Sequence, residues 1–223
     1  MTTVLITGSN RGIGKALVQE ALLRGYRVIA GMREVDTSVF APDAARLHLV
    51  ALDVSDDASV KAASLAINEP IDILINNAGV SGTTTSAVAT TDFADMLNTL
   101  NVNTVGPMRV SHAFLPHVKS GLLKKIITIT SGMAEMNDQS NWMSYRVSKV
   151  AANKATRALA TDLKPEGIAV AMLCPGWVRT AMGGPSATTS PQDSAEGLFR
   201  VIDDLNLANT GFYKNFSGKT LPF

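Results

Sequence analysis

Val4-Leu5-Ile6-Thr7-Gly8-Ser9-Asn10-Arg11-Gly12-Ile13-Gly14 is the stretch whose reading decides the fold. An apolar run closes on a threonine, and three glycines follow at positions 8, 12 and 14. Lys15-Ala16-Leu17-Val18-Gln19-Glu20-Ala21-Leu22-Leu23 then continues with apolar residues at helical spacing. The pattern predicts a buried strand, a tight turn and the start of a helix. Glycine has no Cβ, so a diphosphate can approach the backbone closely there. The N–H groups and the dipole at a helix N-terminus favour that negative charge. The spacing is Gly-x3-Gly-x-Gly, not the Gly-x-Gly-x-x-Gly of the common dinucleotide fingerprint. Alone, the stretch fits a dinucleotide cradle or a purely structural turn.

Outward from it, short apolar runs alternate with longer helical patterns. The runs are Val4–Ile6, Val28–Ala30, Leu47–Leu52, Ile71–Ile75, Ile126–Thr130 and Ile168–Leu173. They lack strict apolar/polar alternation, as strands buried on both faces of a parallel sheet do. Helical spacing falls near 13–24, 56–68, 91–117, 142–163 and 191–205. Ser55-Asp56-Asp57 caps the second helix, Pro165 and Gly167 stop the fourth, and Pro191 with Asp193 opens the fifth. This rhythm predicts one Rossmann-type domain over 1–223, a doubly wound parallel sheet of about seven strands with helices on both faces. Residues 181–191, rich in Gly, Ser, Thr and Pro, read as a mobile loop.

Bulk chemistry narrows the function. Net charge is +1 and Lys and Arg are scattered, so nucleic acid has no electrostatic footprint. No apolar run is long enough to span a membrane, and Met1-Thr2-Thr3 leads into strand without a signal core. Cys174 is the one cysteine, which excludes an intramolecular disulfide and fits a reducing cytoplasm. It lies in an apolar run and reads as a small buried hydrophobe. His48, His112 and His117 have no partners at metal-ligand spacing, so no metal is expected.

Ligands of open parallel sheets bind beyond the carboxyl ends of the strands. Those ends read Gly8–Gly14, Gly31-Met32-Arg33, Asp53-Val54, Asn76-Asn77-Ala78-Gly79, Ser131-Gly132 and Pro175-Gly176-Trp177-Val178-Arg179-Thr180. The sharpest chemistry lies in Tyr145-Arg146-Val147-Ser148-Lys149. Tyr145 and Lys149 are four residues apart and share a helix face. A phenol titrates near about 10, and a neighbouring ammonium is expected to lower that value and make a usable acid–base group. Ser131 ends the fifth strand, where a hydroxyl can hold a substrate oxygen. Asn103, in Val102-Asn103-Thr104-Val105-Gly106-Pro107, is expected to kink its helix through a bound water and relay protons.

As a set, these residues resemble the short-chain dehydrogenase/reductase family. The matching pieces are Thr7-Gly8-x3-Gly12-x-Gly14, Asp53-Val54, Asn76-Asn77-Ala78-Gly79, Asn103, Ser131, Tyr145-x3-Lys149 and Pro175-Gly176-x-Val178-x-Thr180. The resemblance covers nearly the whole chain. It implies a Ser131, Tyr145, Lys149 and Asn103 catalytic set, with Tyr145 the general acid in carbonyl reduction, Ser131 on the substrate oxygen, Asn103 holding a relay water and Lys149 also on the nicotinamide ribose. It implies cofactor contacts from Gly8, Ser9, Asn10, Arg11, Gly12, Ile13 and Gly14. It places Asp53 and Val54 at the adenine, Asn77, Ala78 and Gly79 along the adenosine ribose, and Pro175, Gly176, Val178 and Thr180 at the nicotinamide amide.

The second strand ends in Met32-Arg33, without the acidic residue that would bind a 2′-hydroxyl. Arg33 and Arg11 suit a 2′-phosphate, so NADP(H) is expected over NAD(H), although Glu34 and Asp36 lie close by. Met133, Met136, Trp142, Trp177 and Met182 are candidate walls for an apolar or aromatic carbonyl substrate, or ordinary packing. The C-terminal Gly211-Phe212-Tyr213 and Gly218-Lys219-Thr220-Leu221-Pro222-Phe223 resemble the C-factor/sniffer-type carbonyl reductase branch. The commoner tetrameric members have a closing strand with a Gly-Gly pair, which is not expected here. The helical stretches 91–117 and 142–163 offer a homodimer contact or are covered within one subunit. A cofactor-sensing or signalling protein with little turnover is the alternative to an enzyme.

Overall fold

The computed structural model describes residues 1–40, 45–84, 90–137 and 139–223. Its strands are β1 (Thr3–Thr7), β2 (Arg27–Met32), β3 (Leu47–Ala51), β4 (Ile73–Asn76), β5 (Lys125–Ile129), β6 (Ala169–Cys174) and β7 (Tyr213–Asn215). They form one parallel sheet in the order β3-β2-β1-β4-β5-β6-β7. The order reverses beside β1, whose neighbours are β2 and β4. That switch point opens a crevice at the strand ends where the glycine turn emerges.

Alternate residues of each strand feed opposite cores, because the side-chain period of a strand is two. Val4 and Ile6 pack with Leu17 and Val18 of α1 (Gly12–Leu23) and with Leu198 and Ile202 of α7 (Pro191–Asp204). Leu5 instead packs with Val60 of α2 (Asp57–Ala66), Val110 of α4 (Gly106–Ala113), Val118 of α5 (Leu115–Ser120) and Leu163 of α6 (Met143–Leu163). Both faces are therefore covered, which is why the strands read as unbroken apolar runs. The helix ends lie close to where the sequence places them. Asp56 accepts the Ala58 N–H, Ser190 accepts the Asp193 N–H ahead of Pro191, and Gly167 takes a left-handed turn after α6.

Three expectations are corrected. The stretch 91–117 is not one helix: α3 (Phe93–Leu100) runs into a π-helical turn, Asn101–Val105, then α4, and α5 follows Phe114. Pro107 has no N–H to return to the Asn103 carbonyl, and the Gly106 N–H instead reaches back five residues to the Asn101 carbonyl. A closing strand does exist. β7 pairs with Met172–Cys174 but is three residues long, too short to register as an apolar run. The reading of 181–191 as a loop free along its length is narrowed at 187–189: Arg179 N–H donates to the Thr189 carbonyl at 2.9 Å, Thr189 N–H to Trp177 at 3.0 Å, and the Arg179 guanidinium to Ala187 at 3.0 Å.

Phe93 and Leu97 on α3 and Val147 on α6 are exposed, on the two stretches considered for a homodimer. No helix among the described residues is long and apolar enough to cross a membrane.

One carboxylate ties three segments. Asp72, buried just ahead of β4, accepts the Thr3 N–H at 2.8 Å, the Leu122 N–H at 2.7 Å and the Leu123 N–H at 3.3 Å. Asp72→Ala strips these donors of their acceptor and is expected to cost about 3 kcal/mol. Urea unfolding checks it: the midpoint falls with the slope unchanged, whereas an unaltered midpoint means the three donors find other partners.

Candidate active site

The glycine turn is held by the chain that follows β4. Thr7 Oγ1 accepts the N–H groups of Asn77 and Ala78, each at 3.0 Å, and Asn77 Nδ2 donates to the carbonyls of Thr7 at 2.9 Å and Gly8 at 3.2 Å. A Cβ at Gly8, whose φ is +67°, would lie 2.8 Å from Ala78 Cα, and one at Gly14 would lie 2.1 Å from the Gly8 carbonyl oxygen. Backbone thus meets backbone, and these two positions admit only glycine. Helix α1 starts at Gly12 with no side-chain cap and no acidic residue in its first turn, so its leading N–H groups face the groove unopposed.

That groove, about 710 Å³, runs along the strand ends. Gly8, Asn10, Arg11, Gly12, Ile13, Gly14, Arg33, Asp53, Val54, Asn77, Ala78, Gly79, Tyr145, Lys149, Pro175 and Thr180 line it. Five residues of the expected catalytic and cofactor sets do not: Ser9, Gly176, Val178, Ser131 and Asn103. Ser9 is fully buried: its hydroxyl donates to the Ile6 carbonyl at 2.7 Å and its N–H to the Gly31 carbonyl at 3.0 Å, so it fastens the turn to the sheet. Gly176 packs against the Phe216 ring, and Val178 is buried. Lys15, Gln19, Asn98, Thr130, Arg179 and Gln192 line the groove without having been singled out. Lys15 and Gln19 follow the glycine turn at helical spacing, a signal that was legible; Asn98 and Gln192 come from helices far away in the chain.

At the strand-two edge, Met32 is buried, and its sulfur accepts the Asp36 N–H at 3.4 Å. The Asp36 carboxylate is spent on the Ser38 N–H at 2.9 Å and the Ser38 hydroxyl at 2.6 Å. Arg11 and Arg33 remain as exposed cations in the groove wall. Asp53 shares that wall. Burial works against its charge, but the Ser55 hydrogen bonds, with Arg33 and Arg109 nearby, hold its carboxyl below the usual range.

Tyr145 and Lys149 lie on the buried side of α6, with the ammonium 5.6 Å from the Tyr145 ring centroid. Burial pushes the Tyr145 phenol up to about 12, opposed by the neighbouring Ser131 hydroxyl. Burial pulls Lys149 down to about 8, while its Nζ donates to the Ile129 carbonyl at 3.0 Å. Burial, not the neighbouring ammonium, is the largest influence on the phenol here, and it acts against ionisation.

The Lys149 shift has a stability consequence. Between about 8 and its ordinary 10.5 the unfolded chain binds the extra proton, so this residue's cost is full below 8 and disappears as pH rises past 10.5. Lys149→Met is expected to raise unfolding free energy at neutral pH by up to about 3 kcal/mol, less the contribution of the Ile129 bond. Calorimetry across pH should show this gain shrinking above 8. A gain that is flat with pH would show that the ammonium is not the penalised species.

Asn103 is fully buried inside the π-turn and does not line the groove. Its Oδ1 accepts the Val80 N–H at 2.9 Å, and its Nδ2 donates to the Val80 carbonyl at 2.8 Å and the Ser148 hydroxyl at 2.9 Å. Both amide hydrogens go to protein acceptors, within a π-helical turn. Gly79 leaves the space: a Cβ there would lie 3.2 Å from Asn103 Oδ1 and 3.6 Å from Lys149 Nζ.

The five candidate substrate walls separate. Met182 lines the groove, and Trp142 stands edge-on to Tyr145 with centroids 6.0 Å apart. Met133 sits in the turn after β5, its N–H donating to Ser131 Oγ at 3.1 Å. Trp177 is exposed with its indole N–H on the Gly183 carbonyl at 2.8 Å, and Met136 is exposed. Of the five, only Met182 lines the groove; Met133, Met136, Trp142 and Trp177 do not.

A doubly wound parallel sheet, a glycine turn at its switch point and a buried tyrosine–lysine pair beside that turn define a class, and residues 2–191 match the short chain dehydrogenase family. The chain belongs to that family. Among individual proteins it is 44% identical over 156 residues to the C-signal of Myxococcus xanthus, an alignment covering 69% of this chain and 93% of that protein. The structure of an NADPH-bound carbonyl reductase from chicken fatty liver superposes with a TM-score of 0.93 at 30% identity, covering 100% of this chain and 99% of the other. Carbonyl reductase Sniffer of D. melanogaster gives 0.93 at 28% identity, with 100% of both chains covered.

Proposed function

We propose that this oxidoreductase reduces an aldehyde or ketone to the alcohol with NADPH. The observation that carries the reading is Tyr145 at the groove wall, buried beside Ser131 and Lys149, with its phenol held protonated. A protonated phenol is the form that can deliver a proton to a carbonyl oxygen as that oxygen becomes an alkoxide. Ser131 orients the oxygen, and Lys149 places a cation next to the ring. Asn103 braces Val80 and, through Ser148, the first turn of α6.

The groove suits a dinucleotide. The Gly8–Gly14 turn and the uncapped start of α1 would take the diphosphate, Arg11 and Arg33 the 2′-phosphate, Asp53 and Val54 the adenine end, and Lys149, Pro175 and Thr180 the nicotinamide end. When bound, the cofactor supplies the hydride to the carbonyl carbon. NADP(H) is favoured over NAD(H) because Met32 occupies the position where an acid would serve NAD(H), and Asp36 is engaged elsewhere. The NADPH-bound carbonyl reductase of similar structure supports the same choice.

Loss of NADPH absorbance with a panel of aldehydes, ketones and quinones tests the reading: at least one apolar or aromatic carbonyl should be turned over. The likeness to the C-signal favours a second reading, a signalling role in which the cofactor is sensed. Tight NADPH binding with no turnover across the panel would select that one.

A further inference from the structure

We propose that Cys174 and Tyr213 are positioning residues that clamp the peptide joining Ser131 to Gly132 and thereby hold the Ser131 hydroxyl against Tyr145. The inference rests on the reading of Ser131 and Tyr145 just given. One peptide unit carries both contacts. Its N–H, from Gly132, donates to Cys174 Sγ at 3.0 Å. Its carbonyl, from Ser131, accepts the Tyr213 hydroxyl as well as the Ala134 N–H. A peptide held at both its donor and its acceptor cannot rotate about its flanking bonds without breaking a buried contact.

The clamp comes from the strands farthest along the sheet. Cys174 is the last residue of β6 and Tyr213 the first of β7, registered against Met172. Met172, Cys174 and Tyr213 form a buried cluster of their own, backed by Leu221. Cys174 is thus more than a small hydrophobe filling space. Burial raises both the thiol and the Tyr213 phenol, so Tyr213 keeps the proton it donates. Ser131, in extended backbone, carries its hydroxyl on the gripped peptide, where Oγ accepts the Met133 N–H at 3.1 Å and neighbours the Tyr145 phenol. The short closing strand thereby acquires a task at the active site.

Two measurements on Cys174→Ala and Tyr213→Phe test this. Amide hydrogen exchange should show the Gly132 N–H exchanging about tenfold faster in both variants, with β5 amides such as Ile127 unchanged. Tyr213→Phe is the informative case, because it leaves the Gly132 acceptor in place. In steady state, kcat for carbonyl reduction should fall about tenfold in each while the NADPH KM stays within about twofold. Cys174→Ser, which returns an acceptor, should recover part of both losses. Gly132 exchange in Tyr213→Phe equal to wild type, or kcat unchanged in both variants, overturns the clamp. Should Cys174→Ala fail to fold, Tyr213→Phe decides alone. A wild-type protein that reduces no carbonyl overturns the proposed reaction instead, and Gly132 exchange still decides whether the peptide is clamped.

Discussion

Tyr145→Phe is expected to lower carbonyl reduction by about 10³- to 10⁴-fold while leaving NADPH affinity within about twofold. The substitution removes one oxygen and keeps the ring packed edge-on against Trp142. Lys149 keeps its bond to the Ile129 carbonyl, so the cofactor end of the groove is undisturbed. What is lost is the proton donor, and a developing alkoxide without one must take its proton from water. Single-turnover rates with saturating NADPH, beside NADPH titration by fluorescence, separate the two effects. Turnover within tenfold of wild type would remove Tyr145 from the role of general acid.

Arg33→Asp is expected to move the ratio of kcat/KM for NADPH to that for NADH by at least about 100-fold toward NADH. Two changes add. The guanidinium proposed to face a 2′-phosphate disappears, and a carboxylate arrives that can accept a hydrogen bond from a 2′-hydroxyl and repels the phosphate. A factor of 100 corresponds to about 2.7 kcal/mol, within the range of a charge-assisted pair plus one repulsion. Arg11 and Lys15 stay in the groove wall, so NADPH should still bind, only less favourably. The two cofactors are compared with one carbonyl substrate at one salt concentration, because exposed charges are screened. An unchanged ratio would mean that Arg33 points away from the adenosine phosphate.

Much of the architecture was legible from local chemistry. The strands of a doubly wound sheet lie between two layers of helices, so they appear as apolar runs, and Val4–Ile6 or Ile168–Leu173 betray themselves by composition alone. Glycines 8 and 14 mark the turn because a Cβ there meets backbone. Helix starts such as Ser55-Asp56-Asp57 and Pro191 are readable because a cap acts on an N–H two or three residues on. The π-turn at Asn101–Val105 was not readable, since its periodicity differs from an α-helix by one residue over one turn. β7 escaped notice for a related reason: three residues carry too little pattern.

The site divides along the same line. That Tyr145 and Lys149 share a face follows from helix geometry. How far the phenol is withdrawn from water does not, because burial depends on how the whole fold closes over it, and here burial is the largest influence on its titration. Ser9 looked like part of the cradle because it sits between its glycines, yet its hydroxyl turns inward to Ile6.

By itself the sequence determined the parallel doubly wound class, the glycine turn and the residue types available at the strand ends, because each depends on neighbours a few residues away. Only the tertiary structure decided which of those residues face the groove, the burial of Tyr145, and the grip of Cys174 and Tyr213 on Ser131–Gly132. Those depend on contacts between segments 42 and 82 residues apart in the chain. Such contacts are set by how the whole sheet closes, and no local pattern encodes them.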